Sequence, residues 1–306
     1  MTNILVKIFV KDYENINSIS VKQNYGILAS IVGIICNLFL CVFTFIIGII
    51  FSNIAVTADA INSFSDIGSS VISIISFKIS NKPADKEHPF GHARFEYICG
   101  LAIAFIIIFL GINIISSSIK KILNPTMLKF DVIILLILGI SILLKFWLSK
   151  FNKKIGKRIN SQVLKAAAAD SINDMLSTAS VFLSTIFSYL TGIQIDGFAG
   201  IFVAILIVRS GINIVKEMGN TLLGEAPPQE LTEKLINKIL EYEGILSIHG
   251  LLIHNYGENH CFASVHVEVD AKQDIMISHD IVDKIEKDIY RELGINLVIH
   301  IDPIQF

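Results

Sequence analysis

Two pairs of oxygen-bearing side chains, each spaced four residues apart, lie inside stretches that otherwise read as membrane helices. One pair is Asp170 and Asp174, in the run from Lys165 to Ser180 that continues through Val181 to Leu190. The other is Asn62 and Asp66, in Asn62-Ser-Phe-Ser-Asp66. A spacing of four puts both members of a pair on one helix face, about 6 Å apart along the axis. An ionised Asp near the bilayer centre is costly on any scale and is kept where it faces an ion pathway or a partner. Asp and Asn supply hard oxygen donors, with neither imidazole nor thiolate. Such a set suits Mn²⁺, Mg²⁺ or Ca²⁺, whereas Zn²⁺ tends to recruit His or Cys.

Depth can be read from the chain. Asp66 is 12 residues from Lys78 and Asp170 is 12 from Arg158, about 18 Å in a helix. Asn62 and Asp174 are each 16 residues from the same basic anchors, about 24 Å. If the two helices are antiparallel neighbours, four oxygen-bearing side chains converge near mid-membrane. The bland alternative is that the acids pair with helix-interior amides or with Lys145, or cap a shorter helix. Carboxylates crowded at low dielectric resist ionising together, so an empty site should hold protons that a divalent cation displaces. That is a route to metal–proton exchange. The chain has no phosphate-cradling loop, kinase-type motif, nucleophile–base pairing or cofactor motif, so no enzyme class has support.

The elements that would carry these residues are spans of a membrane protein. The 306 residues are 53% hydrophobic with mean hydropathy +0.65, too apolar for an ordinary soluble domain. Six segments are long enough to cross about 30 Å of hydrocarbon: 27–51, 54–78, 95–119, 130–149, 161–190 and 196–218. The second and fifth, which hold the two pairs, are the least purely apolar. Lys78, Lys82, Lys86 and Arg94 follow the second segment, and Lys150, Lys153, Lys154, Lys157 and Arg158 follow the fourth. The one–two link (Ser52, Asn53) and the five–six link carry no Lys or Arg, so the positive-inside rule puts both termini in the cytoplasm. Lys120, Lys121 and Lys129 weigh against that orientation. The N-terminus, with Lys7, Lys11, Asp12, Glu14 and Lys22 before the first long apolar run, does not read as a secretory signal.

Charge divides the chain. Residues 1–224 carry 19 Lys and Arg against 12 Asp and Glu, while residues 225–306 carry 6 against 15. A basic membrane part followed by an acidic soluble part points to cations rather than nucleic acid as the partner. The expected division is a cytosolic segment 1–26, a six-helix membrane domain 27–224 and a cytosolic domain 225–306. In the last, 229–242 and 275–293 read as helices and 246–255, 260–269 and 295–301 as strands. The order α-β-β-α-β predicts a compact sheet with two helices on one face. The four cysteines show no paired spacing, so neither a disulfide framework nor a Cys-type zinc motif is expected.

A second cluster follows segment two: Lys82-Pro-Ala-Asp85-Lys-Glu-His88-Pro-Phe-Gly-His92-Ala-Arg94. Asp85, His88 and His92 could bind a metal at the membrane surface; a solvated turn with incidental histidines fits the spacing as well.

Here the sequence resembles the cation diffusion facilitator family. The phrase Asn62-x3-Asp66-Ile-Gly-Ser-Ser, the Pro-Ala-Asp-x2-His-Pro-Phe-Gly-His loop, the fifth-segment acid pair, the six spans and the α-β-β-α-β tail all match it. The resemblance implies a homodimeric exporter of divalent transition metals, driven by inward proton flow through alternating access. It implies a transport site at Asn62, Asp66, Asp170 and Asp174, and a loop site at Asp85, His88 and His92. It further implies a copper-chaperone-like cytosolic fold whose metal site matches His249, His266, His279, His300 and Asp302. Zinc members usually place Asp-x3-Asp in helix two and His-x3-Asp in helix five. Asn62 and Asp170 stand there instead, as in the manganese-exporting branch, in agreement with the hard-ligand argument.

Zinc members also join their dimer with a charged pair from the start of helix three to the end of helix six. Arg94 fits the first position, but Gly224 stands where the acid would be, with Glu225 next to it. The C-terminal histidines favour Zn²⁺, Co²⁺ or Ni²⁺ over Mn²⁺; His300 and Asp302, two residues apart on a strand, face the same way. Those sites would sense metal or stabilise the dimer, and need not share the selectivity of the transport site. His254 and His260 read as hairpin-turn residues, Asn173 as a neighbour of the acid pair, and Asp196 as a helix cap. The expected cargo is Mn²⁺. The alternatives are the same antiporter carrying Zn²⁺ or Fe²⁺, a passive channel, or a membrane metal sensor that transports nothing.

Overall fold

A computed structural model describes residues 2–15, 18–50, 54–124, 131–193, 195–257 and 260–305. Its elements in order are α1 (Thr2–Phe9), α2 (Ile19–Ile50), α3 (Ile54–Ser80), α4 (Phe95–Leu123), α5 (Val132–Arg158), α6 (Gln162–Thr191), α7 (Asp196–Leu223), α8 (Gln229–Leu240), β1 (Ser247–Asn255), β2 (Cys261–Asp270), α9 (Ile275–Leu293) and β3 (Ile295–Ile304). The chain divides into two compact units, residues 1–81 with 95–219, and residues 82–94 with 220–306. The link at Ser52 and Asn53, Lys129 and the Asp196 side chain lie outside the described residues.

In the first unit, α2 to α7 are the six expected spans. Five are apolar and long enough to cross a membrane; α6, which holds Lys165, Asp170 and Asp174, is the weaker sixth. Their exposed faces are apolar, with Phe39, Phe105, Phe109, Leu143 and Phe202 among the residues turned outward, as lipid requires. The buried side of α3 is instead polar: Asp59, Ser63, Asp66, Ser69, Ser73, Ser76 and Ser80 recur every three or four residues. Such a stripe could not face hydrocarbon, so it directs α3 inward against its neighbours. Elsewhere α4 and α7 approach through small residues; a Cβ on Gly200 would clash with the Ser118 hydroxyl.

Several boundaries differ from the sequence expectation: α2 begins at Ile19 rather than 27, α4 runs to Leu123 rather than 119, and α7 to Leu223 rather than 218. Helix α1 was not anticipated. Helix α5 runs on to Arg158, so Lys150, Lys153, Lys154, Lys157 and Arg158 form its last turns rather than a loop. Lys and Arg are good helix formers whose stems reach out from an apolar span, and a hydropathy window stops before they do. Only residues 159–161 then join α5 to α6, and Ser161 caps α6 by accepting from the Leu164 amide at 3.3 Å.

The second unit is the expected α-β-β-α-β arrangement. Its sheet has the order β1-β2-β3, with β1 and β2 antiparallel and β2 and β3 parallel. Alternation on β2 sends Ala263, Val265, Val267 and Val269 into a core with Leu235 and Ile239 of α8 and Val282, Ile285 and Ile289 of α9. Both helices carry their apolar residues along one stripe, so both lie on that face. The other face carries Phe262, Ser264, His266 and Glu268. Ile285 is fully buried in this core. Ile285→Ala should cost about 2–5 kcal/mol, seen as faster hydrogen exchange across β2 and α9 of the full chain; unchanged exchange would misplace the core.

Candidate metal centre

The intramembrane acids meet. One carboxylate oxygen each from Asp66 on α3 and from Asp170 and Asp174 on α6 lie within 4.8 Å of one another, and all three residues are buried. Asn62 is half-buried one turn before Asp66 on the same helix. A fourth charge joins the acids: Lys145 of α5 places its Nζ 3.1 Å from Asp66 Oδ2 and 3.2 Å from Asp174 Oδ2. The lysine pairing weighed as the alternative to a cation site and the convergence of the acids are therefore both present.

Several contacts hold these helices in place. Glu96, in the first turn of α4, accepts from the Ser161 hydroxyl (2.5 Å) and the Val163 amide (3.2 Å), so a carboxylate sits at the start of α6, where a helix has free N–H groups and positive potential. The Ser149 hydroxyl of α5 donates to the Ala168 carbonyl of α6 at 2.7 Å. Sequence reasoning passed over Asp59, which is buried two turns before Asp66 and accepts from Ser141 (3.2 Å) and Thr178 (2.9 Å). Its spacing of seven from Asp66 was the available signal, since residues seven apart share a helix face. Ser63 Oγ and Asn173 Nδ2 are buried with no hydrogen-bond partner among the described residues.

The loop residues also come together. Asp85, His88 and His92 bring ligand atoms within 4.8 Å, and the His88 and His92 rings are 4.6 Å apart. Asp85 Oδ1 accepts from the amides of His88 (2.7 Å) and Glu87 (3.0 Å). These bonds, that of His88 foremost, hold the Asp85 carboxyl below the usual carboxylate range. His92 Nδ1 donates to the Pro83 carbonyl at 3.2 Å, and its Nε2 lies 3.4 Å from Asp85 Oδ2. Phe90 anchors the loop against Tyr256 and Phe262, with ring centres 4.5 and 5.1 Å away. Gly257 (φ +123°) passes so close that a Cβ there would lie 2.6 Å from that of Ala93. Arg94 donates to the Asn255 carbonyl (2.9 and 3.3 Å) and covers the Tyr256 ring at 4.0 Å. Its guanidinium thus binds its own chain, while Glu225 is exposed.

On the sheet, strand register aligns His249, His266 and His300 in one row across β1, β2 and β3. Asp302 reaches all three: Oδ2 is 2.9 Å from His266 Nδ1 and 3.0 Å from His249 Nε2, and Oδ1 is 3.3 Å from His300 Nε2. The His266 hydrogen bond, with the neighbouring imidazoles, holds the Asp302 carboxyl below its ordinary range. Gly250, in the left-handed region at φ +63°, sits at the irregularity after His249, where a Cβ would come 3.3 Å from the His266 ring. His279 does not join this row: it is exposed on α9 beside Asp280. His254 lies within β1 opposite Phe262 rather than in the turn.

Comparison with known proteins finds two matching domains in the chain. Residues 30–223 match the cation efflux transmembrane domain and residues 227–304 the cation efflux protein cytoplasmic domain. The chain belongs to the cation efflux family. The family's members are membrane transporters of metal cations rather than enzymes. Among its relatives, an uncharacterized transporter of Methanocaldococcus jannaschii is 30% identical over 82% of this chain and 88% of its own. The manganese efflux system protein MneS of Bacillus subtilis is 29% identical over 92% and 96%. The cation-efflux pump FieF of Escherichia coli K12 is 24% identical over 82% and 84%.

The lowered pKa of Asp302 sets a pH dependence. A carboxyl whose folded pKa lies below its unfolded value stabilises the fold above the unfolded pKa and loses that contribution as pH falls through the folded one. In metal-free protein, Asp302→Asn should lower the melting temperature of the C-terminal domain at neutral pH, with the gap closing once pH falls below about 4. A gap that persists in acid would mean the carboxylate is not the cause.

Proposed function

We propose that this protein exports Mn²⁺ from the cytosol in exchange for protons, as a homodimer working by alternating access with both termini in the cytoplasm. The observation that carries the proposal is the convergence of Asp66, Asp170 and Asp174, all buried, within 4.8 Å inside the spans. Oxygen donors alone favour a hard divalent cation. Asn62 supplies a neutral oxygen on the same helix and limits the site's negative charge. The likeness to a manganese efflux protein over 92% of the chain supports the same cargo.

Proton exchange follows from charge. Carboxylates bind protons and a divalent cation through the same oxygens, so proton uptake and metal release are coupled at such a site. Access alternates because a site between packed helices can open to one side only when it closes to the other. The loop cluster of Asp85, His88 and His92 would gather metal near the membrane surface. The row of His249, His266 and His300 with Asp302, and His279 once a second copy is present, would bind a borderline ion such as Zn²⁺ and draw the acidic domains together. Those imidazoles also support a second reading, the same antiporter with Zn²⁺ or Fe²⁺ as cargo.

Proteoliposomes loaded with a pH dye and challenged with each divalent ion in turn separate these readings. Mn²⁺ should move protons most strongly, and metal flux without proton movement would favour a channel. In the same assay Asp174→Ala should reduce metal-dependent proton flux to the protein-free background; full flux would remove the three acids from the mechanism. Asp170→His should raise the Zn²⁺ to Mn²⁺ flux ratio by about tenfold. An unchanged ratio would undercut ligand hardness as the source of selectivity.

A further inference from the structure

Lys145 lies at the middle of α5, 13 residues from each end, about 20 Å along the axis. Its side chain is 1% exposed. An ammonium there must be paired, and its partners are two of the three carboxylates proposed to hold the metal. A divalent ion bridging Asp66 and Asp174 at ordinary oxygen-ligand distances would take the same lone pairs and repel the ammonium beside it. Lysine and metal therefore compete for one pair of anions.

A second counter-ion is close at hand. Ser141, one turn before Lys145 on α5, donates to Asp59, which is buried two turns before Asp66 on α3. Thr178, one turn after Asp174 on α6, donates to the other Asp59 oxygen. The same three helices thus build two polar levels, Asp66–Lys145–Asp174 and Asp59–Ser141–Thr178. Side chains on a helix lean toward its N-terminus, so the stem of Lys145 extends toward the turn of Ser141 and Asp59.

We infer that Lys145 is a tethered cation that occupies the intramembrane carboxylates when metal is absent and moves to Asp59 when a divalent ion replaces it. This rests on the reading of Asp66, Asp170 and Asp174 as the transport site and adds to it a competitor and a resting place. The competitor lowers the site's affinity, which favours release on the far side, and leaves the empty carboxylates paired within the membrane.

The test is Mn²⁺ binding, measured from the electron paramagnetic resonance signal of the free ion, to the full chain in detergent. All proteins carry Asp85→Ala, His249→Ala and His300→Ala, so that the loop and sheet clusters do not contribute. Lys145→Gln should lower Kd by about tenfold or more, because metal no longer displaces an ammonium. Asp59→Asn should raise Kd by about threefold with Lys145 present and leave it unchanged in the Lys145→Gln background, the signature of coupled sites. A Kd that is unchanged or raised in Lys145→Gln overturns the inference, as does an Asp59→Asn effect that persists without the lysine. Should Lys145→Gln not fold, Lys145→Met keeps the volume without the charge and is read in the same way. Asp174→Asn separates the two levels of the argument. If it leaves Mn²⁺ bound, the transport-site reading fails. If it abolishes binding while neither lysine variant alters Kd, the tethered cation alone fails.

Discussion

Four ionisable groups drawn out of water, three carboxylates and one ammonium, set the terms for the rest of this protein. Within a membrane such charges survive only if each is matched by a partner at contact distance, and none of the four can find that partner on its own helix alone. Asp66 comes from α3, Lys145 from α5, and Asp170 and Asp174 from α6. The bundle is therefore obliged to bring these three helices together, and the polar stripe on α3 is the consequence. Its serines lie on the side that carries Asp59 and Asp66, while residues such as Phe39 of α2 and Phe105 of α4 face outward. This inverts the soluble-protein pattern for the reason that lipid, unlike water, offers polar groups nothing.

A charge cluster can act on an ion only if its geometry is held, and the holding is done by contacts at the helix ends and one turn away. Glu96 binds the start of α6 from α4, so the turns that carry Asp170 and Asp174 begin at a fixed point. Ser149, one turn beyond Lys145, ties α5 to the backbone of α6. Asp59 ties α3 to both by way of Ser141 and Thr178. None of these bonds is strong by itself, since polar contacts between membrane helices average well under 2 kcal/mol. Their placement on both sides of the acids matters more than their number.

The C-terminal unit arranges its possible donors in a contrasting way. His249, His266 and His300 line the helix-free face of a small sheet, accessible to solvent and aligned by register. Exposed imidazoles beside one carboxylate are reachable from solvent without any helix moving. The same unit holds the Asp85–His92 loop, fastened by Phe90, Tyr256 and Phe262 and by the Arg94 bonds to Asn255. Donor chemistry differs between the two units, oxygen in one and mainly imidazole in the other, and the two sets suit different cations.

Hydropathy and periodicity alone located six spans and the α-β-β-α-β tail, because burial in lipid and in a small core each impress a regular pattern on the chain. The spacing of Asn62 with Asp66 and of Asp170 with Asp174 placed the acids on helix faces at matching depth before any fold was known. Where α5 ends was not legible, because its last turns are basic and helical at once. Nor could spacing on one helix say that Asp59 joins Ser141 and Thr178, or that Asp302 lies among three histidines from three strands. The tertiary structure also decided whether Lys145 would be the partner of the acids or a bystander. The reason is physical: periodicity reports what one helix or strand shows to its surroundings, whereas a charge pair is set by the rotation and depth of two helices packed against each other.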